Sequence, residues 1–129
     1  MKRNLSVMLT CLVTLAVGGA LAVGLTGGGS AESCASVRGK AYTAVIRSSA
    51  VSGGLVTAKH CDTLTITNTD SETREIAFGL HEDHVPYDGV GERMLSKGQS
   101  LTVTLNEVGS FRWHDHLHDE VQGRFTVRD

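Results

Sequence analysis

The sequence contains few prolines, cysteines and aromatic residues: its 129 residues include one proline and three cysteines, and 5% of them are aromatic. Only Cys34 and Cys61 lie outside the N-terminal apolar segment, and no Ser/His/Asp or Cys/His arrangement typical of a nucleophile is present. No stripe of Lys and Arg interleaved with aromatic residues occurs, and the formal net charge is -2. The sequence therefore argues against covalent nucleophilic catalysis and against nucleic acid as a partner.

The N-terminal residues have the layout of an export segment. Lys2 and Arg3 precede an apolar run over residues 5–25, which is long enough to span about 30 Å of hydrocarbon as a helix. Two fates stay open: cleavage as a signal peptide, or retention as a membrane anchor helix. We expect residues 1–31 to be this leader with a Gly-rich linker, and residues 32–129 to form one small domain outside the cytoplasm. Any contact with a membrane would then run through the leader alone.

Cys34 and Cys61 form an even pair in a chain predicted to reach an oxidising compartment. A disulfide between them is therefore the default prediction, worth roughly 3 to 4 kcal/mol in the chain-entropy model. The alternative is that both are thiolate ligands of a metal, which requires them to lie beside histidines. Only His60 is adjacent, and the other histidines have no ligand-like spacing from either cysteine.

Alternating apolar and polar residues recur in seven short segments, separated by turns rich in Gly, Asn, Asp and Ser. With 15 glycines and abundant Thr and Val, this pattern predicts an all-β domain, a β-sandwich of about seven strands. The connection over residues 80–98 is too long for a hairpin and carries Pro86 and a group of histidines, as functional loops often do. The predicted strands are 42–47, 55–58, 63–68, 74–79, 101–105, 110–115 and 123–128.

Five of the six histidines fall into two short groups. The groups are His81 with His84, and His114 with His116 and His118. Imidazoles packed this densely repel one another when protonated, so a cation that shares their lone pairs explains them best. We predict a transition-metal site that uses all five, with Asp115 as a ligand or as an acceptor for an imidazole N–H. The alternatives are a solvated polar loop for His81 and His84, and a solvent-facing strand residue for His114.

Four segments carry a resemblance to a known family: CDTLTITNTD at 61–70, KGQS at 97–100, GSFRW at 109–113 and QGRFTV at 122–127. In this order they resemble the cupredoxins over residues 42–127. The resemblance implies a Greek-key β-sandwich, copper as the metal, and a protein partner for electron transfer or metal exchange.

The chain departs from the cupredoxin pattern at the metal ligands. The family's cysteine, late histidine and methionine correspond to Asp115, His118 and Val121, and its early histidine corresponds to Arg74. We expect Arg74 to be a structural charge, paired with an acid such as Glu72 or Asp115. Without a thiolate, the covalent bond on which blue-copper electron transfer depends is absent. The resemblance extends to exported cupredoxin-like proteins that carry a His-Asp-His run here and a His-x-x-His upstream.

Three classes of function are compatible with these features. The leading one is an exported or membrane-tethered protein that binds Cu(II), with zinc as the alternative, for metal sequestration, delivery or a modest redox role. The second is a small copper enzyme that acts on superoxide or a similar oxidant at an open coordination position. The third is a metal-free, membrane-tethered interaction module. Because no acid–base pair or substrate pocket can be identified, the sequence favours a binding protein over an enzyme.

Overall fold

The computed structural model describes residues 33–129. The leader predicted over residues 1–31 lies outside the described residues. Across residues 33–129, no helix is long and apolar enough to cross a membrane. The helical structure in this range is a 3-10 turn at Cys34–Ser36.

Ten strands occur within the described residues, and they include all seven predicted segments. The three additional strands, Ala50–Ser52, Asp83–His84 and Glu92–Leu95, are short and mostly exposed, so they lack the apolar alternation that reveals a strand in a sequence. The strands are β1 (Ala41–Arg47), β2 (Ala50–Ser52), β3 (Leu55–Lys59), β4 (Thr63–Asn68), β5 (Arg74–Leu80), β6 (Asp83–His84), β7 (Glu92–Leu95), β8 (Ser100–Thr104), β9 (Gly109–Asp115) and β10 (His118–Arg128).

The strands form two sheets. One sheet has the order β2-β1-β4-β8, and the other has the order β3-β10-β9-β5-β6, with β7 also paired to β5. The β1–β4 and β3–β10 pairs are parallel, so the chain must cross between the two layers to connect them. The predicted all-β sandwich is confirmed.

The inward faces of both sheets meet in one core. Strand β4 illustrates the pattern, because Leu64 and Ile66 are buried while the threonines that alternate with them along the strand are only partly buried. On the opposite sheet, Trp113 packs so closely on Gly123 that a Cβ at position 123 would lie 2.5 Å from the indole Nε1. The largest apolar members of the core are Trp113, Phe78, Phe125, Ile46, Leu64 and Ile66.

Cys34 and Cys61 are joined by a disulfide, which confirms the predicted pairing. The bond ties the segment before β1 to the turn between β3 and β4. The imidazole of His60 lies beside it, with Nδ1 3.4 Å from the Cys61 sulfur and Nε2 3.2 Å from the carbonyl oxygen of Asn106. Because each sulfur is bonded to the other, these cysteines do not act as thiolate ligands in this state.

Candidate metal centre

His114 lies on the outer face of the larger sheet. Its neighbour Trp113 points into the core, and successive residues of a strand point to opposite faces. His114 is nevertheless completely buried, at 0% exposure. Across the strand pair it faces Ala77 of β5, whose small side chain leaves room above the sheet. His114 is therefore not a solvent-facing strand residue, because other side chains cover it.

The β5–β6 hairpin places His81 and His84 over His114. Strand β5 pairs with β6 through Gly79 and His84, which leaves His81 in the turn between them. Gly79 has a φ of +90°, and a Cβ there would lie 2.6 Å from the carbonyl oxygen of Asp83, so this bend requires glycine. A straight continuation of the strand would carry His81 roughly 20 Å beyond Arg74. Strand β5 does continue to Leu80, and the cluster forms around His114, opposite Ala77, and not at the Arg74 end of the strand.

Four imidazole rings meet on this face, with centroid separations from 4.7 to 6.4 Å. The ring of His81 stacks on that of His116 at 4.7 Å, and the ring of His84 lies 5.1 Å from that of His114. One nitrogen from each of His81, His114 and His116 lies within 4.8 Å of the other two. Four of the five histidines in the two groups recognised in the sequence thus meet in one cluster, which we call the four-histidine cluster.

Within residues 33–129, the His114 imidazole has no hydrogen-bond partner at either ring nitrogen, although both nitrogens are buried. Burial, and secondarily the nearby His84 ring, lowers the pKa of His114. The neutral form is therefore favoured, and a neutral imidazole carries one free lone pair. Buried polar groups are normally paired, and an unpaired one costs roughly 1 to 3 kcal/mol. A metal ion bound at the nitrogen that carries the lone pair would satisfy that nitrogen of His114.

His84 links the cluster to an acid. Its Nδ1 lies 2.6 Å from Oε1 of Glu92, and its Nε2 lies 3.2 Å from Nδ1 of His116. Two imidazole nitrogens bound to one ion at about 2.0 Å each are separated by about 3 Å, so His84 and His116 already have the spacing of two ligands. The backbone N–H of His116 donates to the carbonyl oxygen of Glu75 at 2.7 Å, which holds the turn after β9 in place.

Glu92 is not among the residues predicted from the sequence. Its only sequence signal is its position eight residues after His84 in the same long connection. Strand β7 is too short to be recognised from its pattern, so the sequence gives no register that would place this acid beside a histidine.

Asp115 points toward the interior, away from the four-histidine cluster. Its carboxylate accepts hydrogen bonds from Nη1 of Arg74 at 3.1 Å and from the backbone N–H of Glu75 at 3.0 Å. Arg74 also donates to Asp70 at 2.8 Å and lies 3.9 Å from Glu72. The expected pairing of Arg74 with an acid is therefore present, with Asp115 as a principal partner. Because Asp115 is engaged in this way, the structure does not bring it to the histidines.

His118 also lies apart from the cluster. Its side chain is 41% exposed, and its ring nitrogens are 3.8 Å from carboxylate oxygens of Glu72 and Glu120. Across the β9–β10 pair it faces Asp115, and directly opposed residues share one face of a sheet. His118 therefore projects on the side opposite to His114, among surface acids.

No family model matches the chain, and no curated protein matches it. Solved structures do match it. The novel purple cupredoxin from Nitrosopumilus maritimus has a TM-score of 0.59 and 18% identity, with 67% of this chain and 99% of that chain covered. Amicyanin from Paracoccus versutus has a TM-score of 0.58 and 26% identity, with 74% and 88% covered. An amicyanin mutant described as Cu(I) has a TM-score of 0.57 and 21% identity, with 74% and 89% covered. These similarities show a shared fold.

Proposed function

We propose that this chain, whose fold is that of the cupredoxins, binds one copper ion through His81, His84, His114 and His116. The buried imidazole of His114 carries the proposal, because neither of its nitrogens has a hydrogen-bond partner among the described residues and three other imidazoles surround it. A metal ion would satisfy one of the two buried ring nitrogens of His114 and would also hold the four rings in their neutral form.

Copper is favoured by the donor set and by the fold. Imidazole nitrogens suit copper, zinc and nickel, and among these divalent ions Cu(II) binds a given site most strongly. The solved structures with this fold include amicyanin mutants described as Cu(I). Zinc is the alternative, since four imidazoles can also form a closed tetrahedral site.

The position of the centre distinguishes this chain from the cupredoxin pattern. Arg74 and Asp115 stand where that pattern has its early histidine and its cysteine, and here they pair with each other. A cation at that place would meet a buried guanidinium, so we place the metal on the outer face of the larger sheet. The proposed ligand set leaves out Asp115 and His118, which the sequence alone included.

The ligand chemistry supports metal sequestration or delivery over fast electron transfer. None of the proposed ligands is a thiolate, and a centre of imidazoles favours Cu(II) without the covalent copper–sulfur bond that rapid electron transfer uses. A protein that exchanges copper with the chain would then be its partner. The Cys34–Cys61 disulfide supports a location outside the cytoplasm, where such bonds persist.

Copper binding by the full chain tests the proposal. After addition of equimolar Cu(II), we expect one bound copper per chain, weak visible absorption and a tetragonal electron-spin-resonance signal. His116→Ala should weaken Cu(II) binding by about tenfold or more, in line with the loss of a metal ligand. His118→Ala is the matched control, because it removes an exposed imidazole outside the cluster, and it should bind copper as the unaltered chain does. Absence of stoichiometric copper, or equal losses in both variants, would contradict the proposed site.

A further inference from the structure

Glu92 reaches the four-histidine cluster from the edge strand β7. Glu92 faces Ala77 of β5, and Ala77 faces His114 of β9 on its other side. The three residues form one row across three strands, on the outer face of the sheet. The small side chain of Ala77 separates the two larger ones. The backbone register therefore places the carboxylate at the rim of the cluster.

The contact between Glu92 and His84 determines which nitrogen of His84 carries a proton. A neutral imidazole has one N–H and one lone pair, and a carboxylate accepts hydrogen bonds. With Oε1 of Glu92 2.6 Å from Nδ1 of His84, the proton lies on Nδ1. The lone pair is then on Nε2, which faces His116 at 3.2 Å. In the proposed centre this lone pair is directed at the metal.

We infer that Glu92 is a positioning residue of the copper centre: it holds His84 in the Nδ1–H tautomer, with Nε2 aimed into the cluster. The inference rests on the proposed function. A carboxylate in this position also fixes the orientation of the ring and increases the basicity of the nitrogen that binds the metal. Losing such a partner typically weakens metal binding by about tenfold to a hundredfold.

Glu82 provides a matched comparison. It lies in the turn between β5 and β6 next to His81, is exposed, and makes no hydrogen bond to a histidine within residues 33–129. Glu92 is itself 48% exposed at its side chain, so its replacement leaves the core intact. A difference between variants at these two positions would therefore report the contact with His84 and not the loss of a negative charge near the cluster.

The test measures the Cu(II) dissociation constant of the full chain by competition with a chelator, and the ¹⁵N shifts of the His84 ring in the metal-free chain. We expect Glu92→Ala to weaken binding by about tenfold or more and to move His84 away from a single Nδ1–H tautomer. Glu92→Gln keeps an oxygen acceptor, so it should retain the tautomer and recover part of the affinity. Glu82→Ala should leave both measurements unchanged.

Two results would overturn the role of Glu92 while the proposed function stands. The first is unaltered copper affinity in Glu92→Ala when His116→Ala has lost affinity. The second is weaker binding in Glu92→Ala with the His84 tautomer unchanged, which would indicate a general effect of charge or direct binding of the metal by Glu92, whose carboxylate lies within 4.8 Å of nitrogens of His84 and His116. Failure of the unaltered chain to bind copper would overturn the proposed function itself, and the positioning role with it.

Discussion

Removal of Asp115 should destabilise the protein strongly, because it leaves a buried cation short of its partner. Arg74 and Asp115 are 1% and 0% exposed, and Nη1 of Arg74 lies 3.1 Å from Oδ2 of Asp115. Removing one partner of a buried ion pair typically lowers the free energy of unfolding by about 3 to 5 kcal/mol. Asp70 still contacts Arg74 at 2.8 Å in the variant, which favours the lower end of that range. We therefore expect Asp115→Ala to lower the free energy of unfolding by about 3 kcal/mol.

Urea unfolding of the full chain, followed by the fluorescence of the single, buried Trp113, measures this loss. The double variant Arg74→Met, Asp115→Ala should recover much of it, since it removes the uncompensated charge together with its partner. Copper affinity should be the same in Asp115→Asn as in the unaltered chain, because Asp115 is not in the proposed ligand set. A loss below about 1 kcal/mol in Asp115→Ala, the usual value of an exposed ion pair, would refute the reasoning.

Two further predictions concern packing and acid stability. Gly123→Ala should lower the free energy of unfolding by about 1 to 3 kcal/mol, because its Cβ would lie 2.5 Å from Nε1 of Trp113. Gly91→Ala is the control, because a Cβ there would meet no described atom within 4 Å. Equal decreases of stability in the two variants, measured by thermal unfolding, would contradict the packing argument. The pKa of Asp70 is held below 3.8, mainly by the backbone N–H of Ser49. Its folded-state pKa is thus lower than its unfolded one, so its stabilisation is present above about pH 4 and is lost as the pH falls through the folded-state pKa. When the free energy of unfolding is measured as a function of pH, it should fall less in acid for Asp70→Asn than for the unaltered chain. An equal fall in both would contradict this assignment.

The strands that build the core were predictable because their signal is local. Apolar and polar residues alternate along β4 and along the Phe111-Arg112-Trp113 segment of β9, and this alternation depends only on which face of a strand each residue occupies. The Cys34–Cys61 bond was also predictable, because these are the two cysteines outside the N-terminal apolar segment. The edge strands β6 and β7 were not, since exposure on both faces removes the apolar alternation.

The sequence by itself determined that the chain forms an all-β sandwich and that its histidines are grouped, because short segments carry that information. Which histidines meet was decided only by the tertiary structure. The bend at Gly79 returns His81 over β9, and the alternation of β9 sends His114 outward while Asp115 turns toward Arg74. The contact of Glu92 with His84 arises from the pairing of an edge strand. These relations depend on strand register between distant segments, which no local pattern specifies.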